Sequence, residues 1–174
     1  PMPEFLSKAL FKTMPDCVVR PETTEDIVRV LEIAEGAKIA VTPRAGATTA
    51  FMNAVPVKKG IVLDVTGLQG VIALDPENQT AEVYAGTPWR HVNEELEKQG
   101  FTACSVPSSG EASTVGGWFN MEGYGIGSVK YGSFHDQILA AEIVLAGGKV
   151  ITSTKSGEYP LAWFAGSEGT LGIT

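Results

Sequence analysis

The stretch that decides the fold is Ile39-Ala40-Val41-Thr42-Pro43-Arg44-Ala45-Gly46-Ala47-Thr48-Thr49. Ile39 to Val41 reads as a short strand, ended by Pro43. The residues after it are small, and small residues in succession let backbone N–H groups converge on an anion. Thr48 and Thr49 add hydroxyl donors, and Arg44 adds a fixed positive charge. Pro43, Arg44, Ala45, Gly46, Ala47, Thr48 and Thr49 are therefore candidate ligand contacts, with a phosphate group as the expected anion. A plain turn after a strand fits the same spacing. A side chain placed at Gly46 is expected to occupy the phosphate's space.

Working back from this stretch, Cys17-Val18-Val19-Arg20 is a short apolar run closed by Pro21. Thr24 is the expected helix cap, with Glu25 and Asp26 favourable in the first turn. Ile27, Val30, Leu31 and Ala34 share one helical face, and Gly36 is the expected stop. Strand, helix and strand of these lengths predict a βαβ unit and a parallel sheet. Ile61-Val62-Leu63-Asp64 is a third strand.

Working forward, the texture changes. Val71 to Leu74 and Thr80 to Tyr84 flank the turn-forming Asp75-Pro76-Glu77-Asn78, which predicts a β-hairpin. Thr87-Pro88 opens a helix, with Thr87 as the expected cap, Trp89, Val92 and Leu96 on its inner face and Gly100 at its end. Ile138 to Ala146, Gly147-Gly148 and Lys149 to Ser153 form a second hairpin. The fold class is α+β, with a small parallel βαβ subdomain over residues 1–70 and a larger, mainly antiparallel one with flanking helices over 71–174.

Two further glycine-bearing segments lie between regular elements. Pro107-Ser108-Ser109-Gly110-Glu111-Ala112-Ser113-Thr114-Val115-Gly116-Gly117 offers four hydroxyls and two adjacent glycines, and a helix from Thr114 would turn its positive end to a ligand. A serine-rich surface loop is the plainer reading. The segment Gly123-Tyr124-Gly125-Ile126-Gly127-Ser128-Val129-Lys130-Tyr131-Gly132-Ser133 looks at first like a dinucleotide fingerprint. It fails in detail, because Lys130 holds the third glycine position, no apolar strand precedes Gly123 and Glu142 falls inside a strand.

Composition narrows the field. Thirteen Lys and Arg against twenty Asp and Glu leave a net charge of −7, and no basic run is present. This argues against nucleic acid and anionic membranes as partners. Twenty of 174 residues are glycine, above the usual ~7%, which points to turns and close backbone approach. Cys17 and Cys104 match no metal spacing and are expected as buried, reduced thiols; no metal site is expected. His91 reads as solvent-exposed and His135 as a local hydrogen-bonding partner. Trp118, Phe119, Trp163 and Phe164 are expected to pack internally or to meet another domain. No stretch has the ~18 apolar residues of a membrane helix and no secretory signal is visible, so the expected location is cytoplasmic.

Taken in order, these segments resemble the FAD-binding domain of FAD-linked oxidases, the PCMH-type domain of the vanillyl-alcohol-oxidase superfamily, most nearly the branch of glycolate oxidase flavin subunits and D-lactate dehydrogenases. The resemblance runs through Val19 to Glu25, Pro43 to Thr49, Asp75 to Asn78, Ala85-Gly86, Pro107 to Ser109, Thr114 to Gly117, Lys130 to Gly132 and Gly166 to Gly172. It implies two subdomains with extended FAD between them. It implies that residues 44–49 wrap the pyrophosphate, and that Pro107, Ser108, Ser109, Thr114, Gly116 and Gly117 contact diphosphate and flavin. Gly123, Gly127, Ser128, Tyr131 and Gly132 would run beside the flavin, and Ile173 near the adenine.

The resemblance further implies oxidation of a small 2-hydroxy acid of the D-lactate or glycolate type by hydride transfer to flavin. Electrons would pass to a quinone, a flavoprotein or an iron–sulfur subunit. Such an enzyme is cytoplasmic or peripheral to a membrane. The substrate pocket belongs to a cap domain beyond this chain, whose ending inside Leu171 to Thr174 looks like a cut through a larger protein; no catalytic base is assigned. The other reading is a stand-alone flavin- or nucleotide-binding interaction subunit. Ala47 to Met52 contain no histidine and Cys104 lies far from Gly116-Gly117, so non-covalent FAD is expected. Ala45 and Ala47 replace glycines usual in the family, and their methyl groups fit without strain only if both φ angles are negative. Trp118 to Glu122 also departs from the family's small, polar pattern.

Overall fold

The computed structural model describes residues 14–174. Three parallel strands stand in the order β1, β3, β2: β1 is Cys17–Val19, β2 is Val41–Arg44 and β3 is Ile61–Asp64. β3 is central because it is the apolar one, with Ile61, Val62 and Leu63 all buried. β2 lies two residues later than its apolar run predicts and takes in Pro43, which an edge strand tolerates.

Helix α1 (Thr24–Ala37) connects β1 to β2 and buries Ile27, Leu31 and Ala34, the first two in one apolar cluster with Leu63 of β3. Its cap is Thr23 rather than Thr24: the Thr23 hydroxyl accepts from the Asp26 N–H at 3.1 Å while the Asp26 carboxylate accepts from the Thr23 N–H. The sequence offers two adjacent threonines, and Asp26 selects the one three residues before it. Gly36 stays inside the helix, and Lys38 ends it in the left-handed region at φ 55°.

Strands β4 (Val71–Asp75) and β5 (Thr80–Val83) form one antiparallel hairpin, and β6 (Ala140–Val144) with β7 (Val150–Thr154) forms another. Asp75 nucleates the first turn by accepting from the N–H groups of Glu77 and Asn78. Helix α2 (Trp89–Lys98) has Pro88 at its cap position. Thr87 does not cap it; its buried hydroxyl donates to the Tyr84 carbonyl at 2.6 Å and accepts from the Gly70 N–H at 2.9 Å. Four short helices follow: α3 (Val115–Asn120), α4 (Ser128–Tyr131), α5 (Phe134–Gln137) and α6 (Leu161–Phe164).

Two apolar clusters result. One joins Ile27, Leu31, Leu63 and Val65 to Val144 and Ile173. The other holds Trp89, Val92, Trp118, Phe119, Phe134, Ile143, Ile151, Leu161 and Phe164. Neighbours on β6 point to opposite faces, so Ile143 enters one cluster and Val144 the other. In the second, Trp118 stacks on Phe134 at 5.1 Å and both meet Trp89 edge-on. Trp118, Phe119 and Phe164 thus pack internally, whereas Trp163 is exposed. The cysteines correct the expectation: Cys17 and Cys104 are free thiols but both are exposed, because Cys17 sits on an edge strand and Cys104 on a loop.

Candidate functional site

A cleft of about 270 Å³ opens where β2 ends, between the loop after that strand and helix α3. Ligands of α/β sheets commonly bind beyond the carboxyl ends of parallel strands. One wall is the whole of Pro43 to Thr49, continued by Asn53 and Ala54. The opposite wall includes Ser109, Ser113, Thr114, Gly116, Gly117, Trp118, Asn120 and Met121. Val65, Ala85 and Ile173 supply apolar floor, and Glu168, Gly169, Gly172 and Thr174 close one side.

Among the described residues, none of the five consecutive amides from Ala45 to Thr49 donates to a protein acceptor. Backbone donors without protein partners along one wall of a cleft suit an anion. Arg44 lines the same cleft and has no carboxylate within ion-pair distance among the described residues. Ala45 has a negative φ, but Ala47 does not: at φ 49° it holds the left-handed conformation that favours glycine.

A line of hydroxyls joins the walls. Thr48 Oγ1 lies 2.8 Å from Ser113 Oγ, which lies 2.6 Å from Ser109 Oγ. Thr114 caps α3, accepting from the Gly117 N–H at 3.2 Å. The other amides of this helix start are also engaged: Val115 donates to the Thr87 carbonyl and Gly116 to that of Ala85. The positive end of α3 therefore offers no free first-turn amide, contrary to the reading of its sequence.

Of the residues singled out in the sequence, the cleft gathers Pro43 to Thr49, Ser109, Thr114, Gly116, Gly117 and Ile173. Pro107, Ser108, Gly123, Gly127, Ser128, Tyr131 and Gly132 are not on its lining. Several of these have reasons of their own. A Cβ on Gly123 would strike the Trp118 ring, and Gly127, at φ 96°, lies against the Cys104 carbonyl. Gly46 corrects another expectation. Its missing side chain faces the Ala112 carbonyl, where a Cβ would come within 2.1 Å, rather than the phosphate's space.

Sequence reasoning missed Asn53, Trp118, Asn120 and Met121 as lining residues, and no local pattern marks them; Glu168 stood inside the Gly166 to Gly172 resemblance without an assigned role. Ser113 stood inside a recognised segment, but only the fold shows it bonded to Thr48. Neither His91 nor His135 lines the cleft. Among the described residues no group of three or more His, Cys, Asp or Glu side chains is placed to hold a metal ion.

These features define a cleft beside a parallel sheet whose wall carries a row of main-chain amides, unpaired among the described residues, of the kind that suits an anion. The chain belongs to the FAD binding domain family, whose pattern matches residues 15–154. It is 34% identical over 169 residues to the glycolate oxidase subunit GlcD of Bacillus subtilis, covering 94% of this chain and 36% of that one. It is 31% identical to a D-lactate dehydrogenase of Anaerostipes hadrus, covering 93% and 35%. Among solved structures, an alkyldihydroxyacetonephosphate synthase superposes with a TM-score of 0.81 at 28% identity, covering 90% of this chain and 32% of that one. The chain thus spans about a third of the length of these relatives.

The site fits FAD on its own terms. The amides of Ala45 to Thr49, unpaired among the described residues, and Arg44 suit the diphosphate; Val65, Ala85 and Ile173 suit ring and sugar faces; and the buried Asn53 oxygen has no partner among the described residues.

Proposed function

We propose that this chain is the cofactor-holding part of a flavin-dependent oxidoreductase that oxidises a small 2-hydroxy acid of the D-lactate or glycolate type. The observation that carries the cofactor assignment is the row of five unpaired amides from Ala45 to Thr49 on the cleft wall. The substrate class rests on the similarity to a glycolate oxidase subunit and a D-lactate dehydrogenase. Bound FAD would supply the hydride-accepting chemistry.

The chain's own residues bind and orient. The Ala45–Thr49 amides and the Arg44 guanidinium take the diphosphate charge, which lets an acidic protein of net charge −7 hold an anion locally. Thr48, Ser113 and Ser109 tie the two walls together. The cofactor is taken to be held without a covalent bond, the reading drawn from the histidine-free stretch Ala47 to Met52. It lies along the seam of two half-domains, residues 1–70 and 71–174, because the cleft draws one wall mainly from each. The group that takes the substrate's proton and the route of electrons to a quinone, flavoprotein or iron–sulfur subunit lie outside this chain.

Titrating purified protein with FAD tests the reading. Saturable quenching of flavin fluorescence, reversed on denaturation with free FAD released, is expected. No binding, or flavin that stays attached to the denatured chain, contradicts it.

A further inference from the structure

We propose that Asn53 is a cofactor-binding residue that accepts a hydrogen bond from an N–H or O–H on one of the two arms of FAD, outside the diphosphate; the proposal rests on the FAD reading above. Asn53 lines the cleft four residues beyond Thr49. Its Oδ1 is buried and has no hydrogen-bond partner among the described residues. Its Nδ2 meets only the Met121 sulfur, at 3.5 Å, and a thioether is a weak acceptor. Exchanging the amide oxygen and nitrogen leaves one of the two without a conventional partner. A buried polar group is normally paired, so a folded chain that leaves this one open is poised for a ligand group.

The position separates this contact from the phosphate loop. Gly117, in the first turn of α3, is the residue whose added Cβ would approach the Ala45 methyl at 3.9 Å, and Ser113 just before the helix bonds Thr48. Met121, the partner of Asn53, caps the other end of the same helix. Measured from Ser113, the Thr48 partner, to Met121, the whole six-residue helix intervenes, about 9 Å, further than a diphosphate needs. Asn53 therefore meets the adenosine arm or the flavin–ribityl arm, and both carry N–H and O–H donors.

The test is Asn53→Ala, measured beside the parent chain by FAD titration and by thermal melting without cofactor. The variant should bind FAD roughly tenfold more weakly, the loss of one well-made hydrogen bond. Its cofactor-free melting temperature should be unchanged or higher, because an unpaired buried group is removed. Titrations with ADP and with FMN then identify the arm: a loss confined to ADP assigns the adenosine side, and one confined to FMN the flavin side. Equal FAD affinity in variant and parent overturns the proposal while leaving the FAD reading intact. A lower cofactor-free melting temperature overturns it too, since the amide would then be satisfied within the fold. A parent chain that binds no FAD is the separate failure of the functional reading.

Discussion

The Thr48 and Ser113 hydroxyls lie 2.8 Å apart across the cleft, joining residues 65 positions apart in the chain. Ser113 is buried and also meets Ser109 at 2.6 Å. Removing its hydroxyl leaves both partners short of one bond. Ser113→Ala should lower stability by about 1 kcal/mol and weaken FAD several-fold by loosening Thr48. Denaturant unfolding and FAD titration on the same variant check this, and an unchanged dissociation constant would show that the link does not shape the loop.

Ala47 carries a cost that the fold reveals. At φ 49° its methyl group is strained, where glycine would not be. Ala47→Gly should therefore raise stability by about 0.5–1 kcal/mol, since the relieved strain of ~1–2 kcal/mol exceeds the added entropy of the unfolded chain. Thermal melting of the FAD-free protein reads this directly; a lower melting temperature would refute it.

Gly46 and Arg44 should part company under mutation. A side chain at Gly46 collides with the Ala112 carbonyl, so Gly46→Val should damage the fold itself. Arg44 has an exposed side chain on the cleft and no ion-pair partner among the described residues. Arg44→Ala should leave the melting temperature within about a degree and raise the FAD dissociation constant by roughly tenfold, as a charge-assisted contact would. Circular dichroism melts paired with calorimetry distinguish the two patterns.

Much of the architecture was legible because it follows from periodicity. The apolar run Ile61 to Leu63 announced the central strand, and Asp75 to Asn78 announced a turn. Caps were less legible. Thr23 and Thr24 differ only in their distance from Asp26, and Thr87 was drawn into the interior by Tyr84 and Gly70. The candidate site was half legible. Pro43 to Thr49 could be recognised from its small residues, but the engaged amides of Val115 and Gly116 depend on Thr87 and Ala85, some thirty positions away. Asn53 and Met121 meet only through the fold, and nothing local marks either.

Acid should act through three exposed carboxylates. Asp26 is held below the ordinary aspartate value by the N–H of Glu22 and the hydroxyl and N–H of Thr23. Asp75 is lowered by the side chain and N–H of Asn78. Asp136 is lowered by the hydroxyl and N–H of Ser133. Each folded value lies below the unfolded one, so the stabilisation is full above the ordinary aspartate value and is lost as pH falls through the lowered values. Melting temperature should fall across that acid range, and Asp136→Asn should flatten part of the fall. A slope unchanged in Asp136→Asn would remove that carboxylate from the account.

The most direct measurement is a backbone amide NMR titration of the isotope-labelled chain with FAD. The amide signals of Ala45, Gly46, Ala47, Thr48 and Thr49 should shift most and gain protection from solvent exchange, while those of Val115, Gly116 and Gly117, already bonded within the protein, should gain little. Saturating FAD that leaves the Ala45–Thr49 signals in place would contradict the central claim.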